Sequence, residues 1–169
     1  MTKQSILAAL LDSWTRNNTI LLGLLRAVPE GGLGVRAMVG GPSVAQQFTH
    51  LHSVRLSLVA ENAPELAPDL SPDLAPEEEW ADEHDPARIE RMLTASAHAV
   101  RMVLQNRLGT GQAMNLHYDH PVLLLQHLIW HEGYHHGQIK LALKLAGQAI
   151  PDEAAGPGTW RVWMDKEHS

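Results

Sequence analysis

The sequence predicts an all-α fold, a four-helix bundle with a long crossover between helices two and three. Three observations carry this. Leu, Ala and Val supply most of an apolar content of 44%, against one Phe and two Tyr, a mix that suits helices better than sheets. Four long segments repeat apolar residues every three to four positions. Between the second and third lies an acidic, proline-dense stretch that a helix cannot cross. The 169 residues read as one domain, residues 1–169, large enough to bury a core without disulfides.

Helix one is expected over residues 3–28, where Leu7, Leu11, Trp14, Leu21, Leu25 and Val28 form one stripe and Pro29-Glu-Gly-Gly32 stops it. Helix two, residues 43–61, opens at Ser43 with Gln46 three positions on, a capping box, and turns Phe48, Leu51, Val54 and Leu58 inward. Helix three, residues 86–108, begins behind Asp85-Pro86, a cap followed by proline at the first helical position. Ile89, Met92, Leu93, Ser96, Val100, Val103 and Leu104 line its inner side, and Gly109-Thr-Gly111 ends it. Helix four, residues 120–147, starts at His120-Pro121 and runs to Gly147. Loop 62–84 contains Pro64-Glu-Leu-Ala-Pro-Asp-Leu-Ser-Pro-Asp-Leu-Ala-Pro76, a repeat of Pro, acid and Leu read as a solvated connector of polyproline character. In the tail, residues 148–169, Thr159-Trp-Arg-Val-Trp-Met164 alternates in polarity, as a strand or a pad closing the bundle would.

Charge and cysteine narrow the chemistry. Ten acidic residues and no Lys or Arg lie between Glu61 and Asp85, which leaves 13 basic against 9 acidic residues elsewhere. No basic stripe points to nucleic acid. The chain has no cysteine, so disulfides, thiolate ligands and a cysteine nucleophile are excluded, and a bound metal must sit on nitrogen and oxygen. The apolar run Ile6–Leu11 is too short for a signal-peptide core and none reaches spanning length, so a cytoplasmic location without a membrane partner is expected.

Five of the eleven histidines fall between His120 and His136, and His127, His131 and His135 are spaced by four. On a helix such neighbours are about 40° apart around the axis and about 6 Å apart along it. Two imidazoles so placed can share one ion, whose bonds to nitrogen are about 2.0–2.1 Å. Three cannot, because the outer pair is about 12 Å apart. Leu124, Leu128, Ile139 and Ala142 share this side of the helix, and an imidazole buried there without a partner costs on the order of 1–3 kcal/mol. A metal meets that need better than a hydrogen-bond network does. A further ligand must come from another helix, and His50, His52 and His98 are the candidates. His50 and His52 lie about 100° either side of helix two's apolar centre, so periodicity does not choose between them.

Ser43-Val-Ala-Gln-Gln-Phe-Thr-His50-Leu and His131-Glu-Gly-Tyr-His135-His136-Gly-Gln138-Ile resemble motifs of the DinB/YfiT-like family of bacterial four-helix proteins, and the likeness extends over residues 3–147. The resemblance implies one divalent ion held by His50, His131 and His135, with water at the open positions. It implies nickel or zinc as the metal, with iron and manganese as the alternatives, and a homodimer. His136 becomes a neighbour of the site, His127 an outer-shell group, and His52 a minor candidate. Some members transfer groups to or from low-molecular-weight thiols such as bacillithiol or mycothiol. A metal-dependent thiol S-transferase is thus one expectation, with Glu132 and His127 as candidate catalytic residues and a small thiol and an electrophile as partners. A non-catalytic metal-binding stress-response protein is the other. Gly137 stands where the family often has arginine.

His131-Glu132-Gly-Tyr-His135 also spells the zinc-protease motif, in which the glutamate is the general base. A third histidine would fall at Leu141, and no strands precede the helix to bind a peptide. Glu132 with His135 is likewise half of a di-iron site, of which no second copy exists.

Overall fold

The structure is a computed structural model that describes residues 3–75 and 78–164. Pro76, which closes the repeat, and the tail beyond Met164 lie outside the described residues. Four long helices carry the fold: α1 (Lys3–Ala27), α2 (Val44–Asn62), α3 (Pro86–Thr110) and α4 (Pro121–Leu145). Two short ones follow, α5 (Asp152–Ala155) and α6 (Trp160–Met164). No strand forms among the described residues. No helix there is long and apolar enough to cross a membrane.

Local chemistry sets the helix starts. The capping box of α2 is complete, with Ser43 Oγ accepting from the Gln46 N–H at 3.1 Å and Gln46 Oε1 accepting from the Ser43 N–H at 3.0 Å. Asp85 caps α3 by accepting from the Ala87 N–H at 2.9 Å, ahead of Pro86. His120 Nδ1 does the same for α4, 3.2 Å from the Val122 N–H, ahead of Pro121. Gly111, at φ 74°, ends α3 in the left-handed conformation that glycine adopts without strain.

Helices α1 and α2 each pack against both α3 and α4. The core is split in two. One apolar cluster gathers Trp14, Val59, Val100, Leu104, Leu124 and Leu128, and the other gathers Leu21, Phe48, Leu51, Leu93, Ile139 and Leu143. The positions between them on each helix are polar: Asn17 and Asn18 on α1, Arg55 on α2, Ser96 on α3 and Glu132 on α4. Arg55 Nε and Nη2 donate to the two oxygens of Glu132 at 2.7 and 2.8 Å. Its Nη1 donates to Leu93 O at 2.8 Å and Asn18 Oδ1 at 3.0 Å, and the guanidinium lies 4.8 Å over the Trp14 ring. Asn17 Nδ2 adds a third donor to Glu132, at 2.7 Å. A buried charge pair is tolerable when its polar atoms are met in this way.

The acidic stretch is largely exposed, as its composition suggests, but it is pinned to the bundle at several points. Glu65 pairs with the buried Arg107 at 2.7 Å, and Leu74 O lies 2.9 Å from His52 Nε2. Closer to α3 the chain is fastened to the start of α2. Ser43 Oγ donates to Asp82 at 2.5 Å, Thr49 Oγ1 to Ala81 O at 2.6 Å and Gln46 Nε2 to Trp80 O at 3.0 Å. The tail also departs from the strand reading: Trp160–Met164 is a helical turn on α1, where Arg16 Nη1 donates to Val162 O. A lone strand there would have had no partner edge.

Candidate metal centre

The i, i+4 spacing on α4 brings His131 and His135 side by side, with ring centroids 4.7 Å apart, and α2 brings His50 to face them. One ring nitrogen from each of the three lies within 4.8 Å of the others. His50 Nε2 and His131 Nε2 are 3.3 Å apart. Two nitrogens bound at about 2.0–2.1 Å to one tetrahedral ion would be separated by about 3.3–3.4 Å, so the His50–His131 pair already has the spacing of two ligands to one ion. Without one, a 3.3 Å contact satisfies only one nitrogen pair, and His131 Nδ1 is buried with no hydrogen-bond partner. The three histidines could hold a metal ion.

The surroundings prepare the rings for that task. Burial, aided by His50 and His127, lowers the His131 pKa to about 4. Burial, aided by His131 and His50, does the same for His135. His50 is lowered too, by burial, against an opposing pull from Glu79. All three are therefore neutral at pH 7, the form that offers a lone pair. Gln47 Oε1, 3.4 Å from His135 Nδ1, favours the tautomer with the proton there and leaves Nε2 free to ligate. Glu79 Oε1 lies 2.9 Å from His50 Nδ1, close enough for attraction but not aligned for a hydrogen bond. Trp80 stacks flat on His50, with centroids 3.8 Å apart and planes 7° from parallel, and reaches to 6.0 Å from the His135 ring.

The other histidines are elsewhere. His52 is buried with Nδ1 2.7 Å from Met92 O and Nε2 2.9 Å from Leu74 O, where it ties α2 to α3 and the crossover. His98 is exposed on α3, and His136 is half-buried on the α1 side of α4. His127 lies just outside the triad, its ring 6.1 Å from that of His131, and its Nδ1 is 2.7 Å from the Tyr118 hydroxyl. The oxygens of Glu132 are engaged by Arg55 and Asn17, so the carboxylate is not turned to the histidines as a zinc protease would require.

A sequence model of the DinB family matches residues 1–155. The chain belongs to the DinB family. The matched span takes in all four long helices of this DinB protein and its three clustered histidines. Comparisons with curated proteins and with solved structures found no match.

The depressed histidines give the metal-free DinB protein a pH-dependent stability. His131 and His135 move from an ordinary 6.5 to about 4 on folding, so between those values the unfolded chain binds more protons. Stability should be full above about pH 6.5 and fall as the pH drops toward 4. The shifted carboxylates Glu65, Asp73, Asp82 and Glu83 start from 4.5 or 3.8 and go lower, so they act below that window. Thermal melts of metal-free protein should lose several degrees between pH 6.5 and 5, and less in a His131→Gln, His135→Gln double variant. Wild-type melting that is flat across this interval contradicts the assignment of neutral buried rings.

Proposed function

We propose that this DinB protein is a divalent-metal-dependent transferase acting with a low-molecular-weight thiol, its metal held by His50, His131 and His135. One observation carries this: among the described residues the group ends at three imidazoles, contributed by two helices only. Catalytic metal sites keep such an open position, whereas structural ones close it with a fourth side chain. Neutral nitrogen donors suit zinc or nickel. When bound, a divalent ion there lowers the pKa of a thiol or water that reaches it.

The chain's own residues supply the rest. Gln47 fixes the His135 tautomer, and Trp80 covers one face of His50, forming an apolar wall where a thiol's substituent or an aromatic electrophile can lie. Burial keeps the Tyr118 hydroxyl protonated, so it donates to His127 Nδ1 and the proton of that ring belongs on Nε2. His127 is thus placed to assist as a donor at the edge of the site. Glu132 assists indirectly, by holding α4 to α2 through Arg55. The setting we assign is the bacterial cytoplasm, where small thiols stay reduced.

The test gives untagged, metal-loaded protein bacillithiol, mycothiol or glutathione with a generic electrophile and follows formation of the S–C bond. Wild type should outpace His131→Ala by at least about 100-fold with one of these thiols, because the variant lacks a direct ligand. Trp80→Ala should keep its metal and lose roughly 10-fold in rate, as outer-shell changes do. Equal rates for wild type and His131→Ala with every thiol would refute the transferase, and the protein would then stand as a non-catalytic metal-binding member of its family.

A further inference from the structure

The short tail helix α6 forms one wall of a cleft of about 290 Å³, whose other walls are α1 and α4. Trp160 and Trp163 both line it from the tail, three residues apart and so on one side of their turn. The tail is seated firmly enough to act as a wall. Arg16 Nη1 donates to Val162 O, and Thr159 Oγ1 donates to Ala155 O at 2.8 Å. Gly23 of α1 lets the tail come close, since a Cβ there would stand 3.2 Å from Gly158 O. Across the cleft Ile20 and Ile129 supply an apolar floor, and Gly133, in the middle of α4, widens it. A Cβ at Gly133 would meet nothing within 4 Å. Glycine weakens a helix interior, and neither a turn nor a close contact within the chain explains this one. It leaves room for a planar guest.

We propose that this cleft binds one small aromatic carboxylate, its ring between the two tail tryptophans and Gly133 and its charge on Lys140 and His136. Two observations place the charge. His136 lines the cleft, and its Nε2 is buried with no hydrogen-bond partner among the described residues. Such a nitrogen calls for an acceptor, and a carboxylate oxygen is the strongest one a small ligand offers. Lys140 follows one turn later and also lines the cleft, its side chain 28% exposed. Its ammonium is 3.7 Å from Asp152, a carboxylate 81% exposed, too distant for a hydrogen bond and open to water. A bound anion would therefore meet a cation that its own chain holds only loosely. Glu132 also lines the cleft, but Arg55 and Asn17 already engage both its oxygens. It lies about 12 Å along the helix from Lys140, so it marks the uncharged end. The stretch of α4 from Ile129 to Lys140 is about 16 Å long, which suits one or two fused rings with the acid group at one end. A neutral arene would leave His136 unpaired, and a cation would be repelled by Lys140. The site needs no metal, since none of the three clustered histidines lines it.

Calorimetric titration of the full, metal-loaded chain with 2-naphthoate tests it, beside 2-naphthamide, which keeps the rings and lacks the charge. Wild type should bind one 2-naphthoate with a Kd below about 1 mM, a modest affinity for a ligand of about thirteen heavy atoms. The amide should bind at least about tenfold more weakly, because it cannot pair with the ammonium. Lys140→Met should weaken 2-naphthoate at least about tenfold and leave the amide unchanged. Gly133→Leu fills the cleft and should abolish binding of both. It should keep its metal and a melting temperature intact or raised, which separates a blocked cleft from a damaged fold. Removing the metal with a chelator should leave the affinity for 2-naphthoate unchanged. No saturable binding by wild type up to about 10 mM overturns the proposal, as does undiminished binding by Gly133→Leu. Binding that disappears with the metal puts the carboxylate on the ion and overturns it too. An amide that binds as tightly as the acid overturns the assignment of the charge to Lys140 and His136.

Discussion

Glu132→Ala is expected to lower the stability of the bundle by about 3–5 kcal/mol, the range for removing one partner of a buried ion pair. The side chains of Arg55 and Glu132 are 0% and 3% exposed, so the guanidinium would be left buried without its counter-charge. Two of the guanidinium's donors would lose their acceptors, as would Asn17, while Leu93 O, Asn18 and the Trp14 face would hold the charge in place. The double variant Arg55→Met, Glu132→Leu should recover much of the loss, because it removes both charges from an otherwise apolar interior. Denaturant midpoints for the three proteins at one pH measure this. A loss below about 1 kcal/mol for Glu132→Ala would mean that the polar layer is hydrated, not buried.

The reach of the sequence ended where contacts became long-range. The caps of α2, α3 and α4 could be read because Ser43 with Gln46, Asp85 with Pro86 and His120 with Pro121 act within a few residues. The pairing of His131 with His135 could be read for the same reason, since a helix fixes their separation. The choice between His50 and His52 could not, because both flank the apolar face of α2 equally. Only the placement of α4 on one flank, and of Met92 and Leu74 on the other, separates them. Arg55 gave no local sign of its role, for its partner is 77 residues away. Trp80 and Glu79 were hidden in an acidic run whose composition argues for solvent. The side chains that draw that run onto α2 are Gln46, Ser43 and Thr49, and a capping motif says nothing of a second use for its glutamine. The period-two pattern of the tail was too short to tell a strand from a helical turn.

The second large effect concerns the ion. Three neutral imidazoles within 4.8 Å of one another can share it, and loss of any one leaves two, too few to compete with water and buffer. His50→Ala, His131→Ala and His135→Ala should each lose most of the bound metal, whereas His52→Ala and His136→Ala should keep it. Because the metal binds the folded bundle, chelation should also lower the melting temperature. The stabilisation is about 2.7 kcal/mol at a hundredfold excess of metal over its dissociation constant, and the two-part apolar core should keep the metal-free protein helical. The most direct measurement is the metal content of protein purified without a histidine tag, wild type beside His50→Ala, His131→Ala and His52→Ala. Close to one equivalent of divalent metal in wild type and His52→Ala, and less than about a tenth in His50→Ala and His131→Ala, is the expected result. A wild type that cannot be loaded with nickel or zinc, or a His50→Ala protein that keeps its metal while His52→Ala loses it, would contradict the three-histidine site.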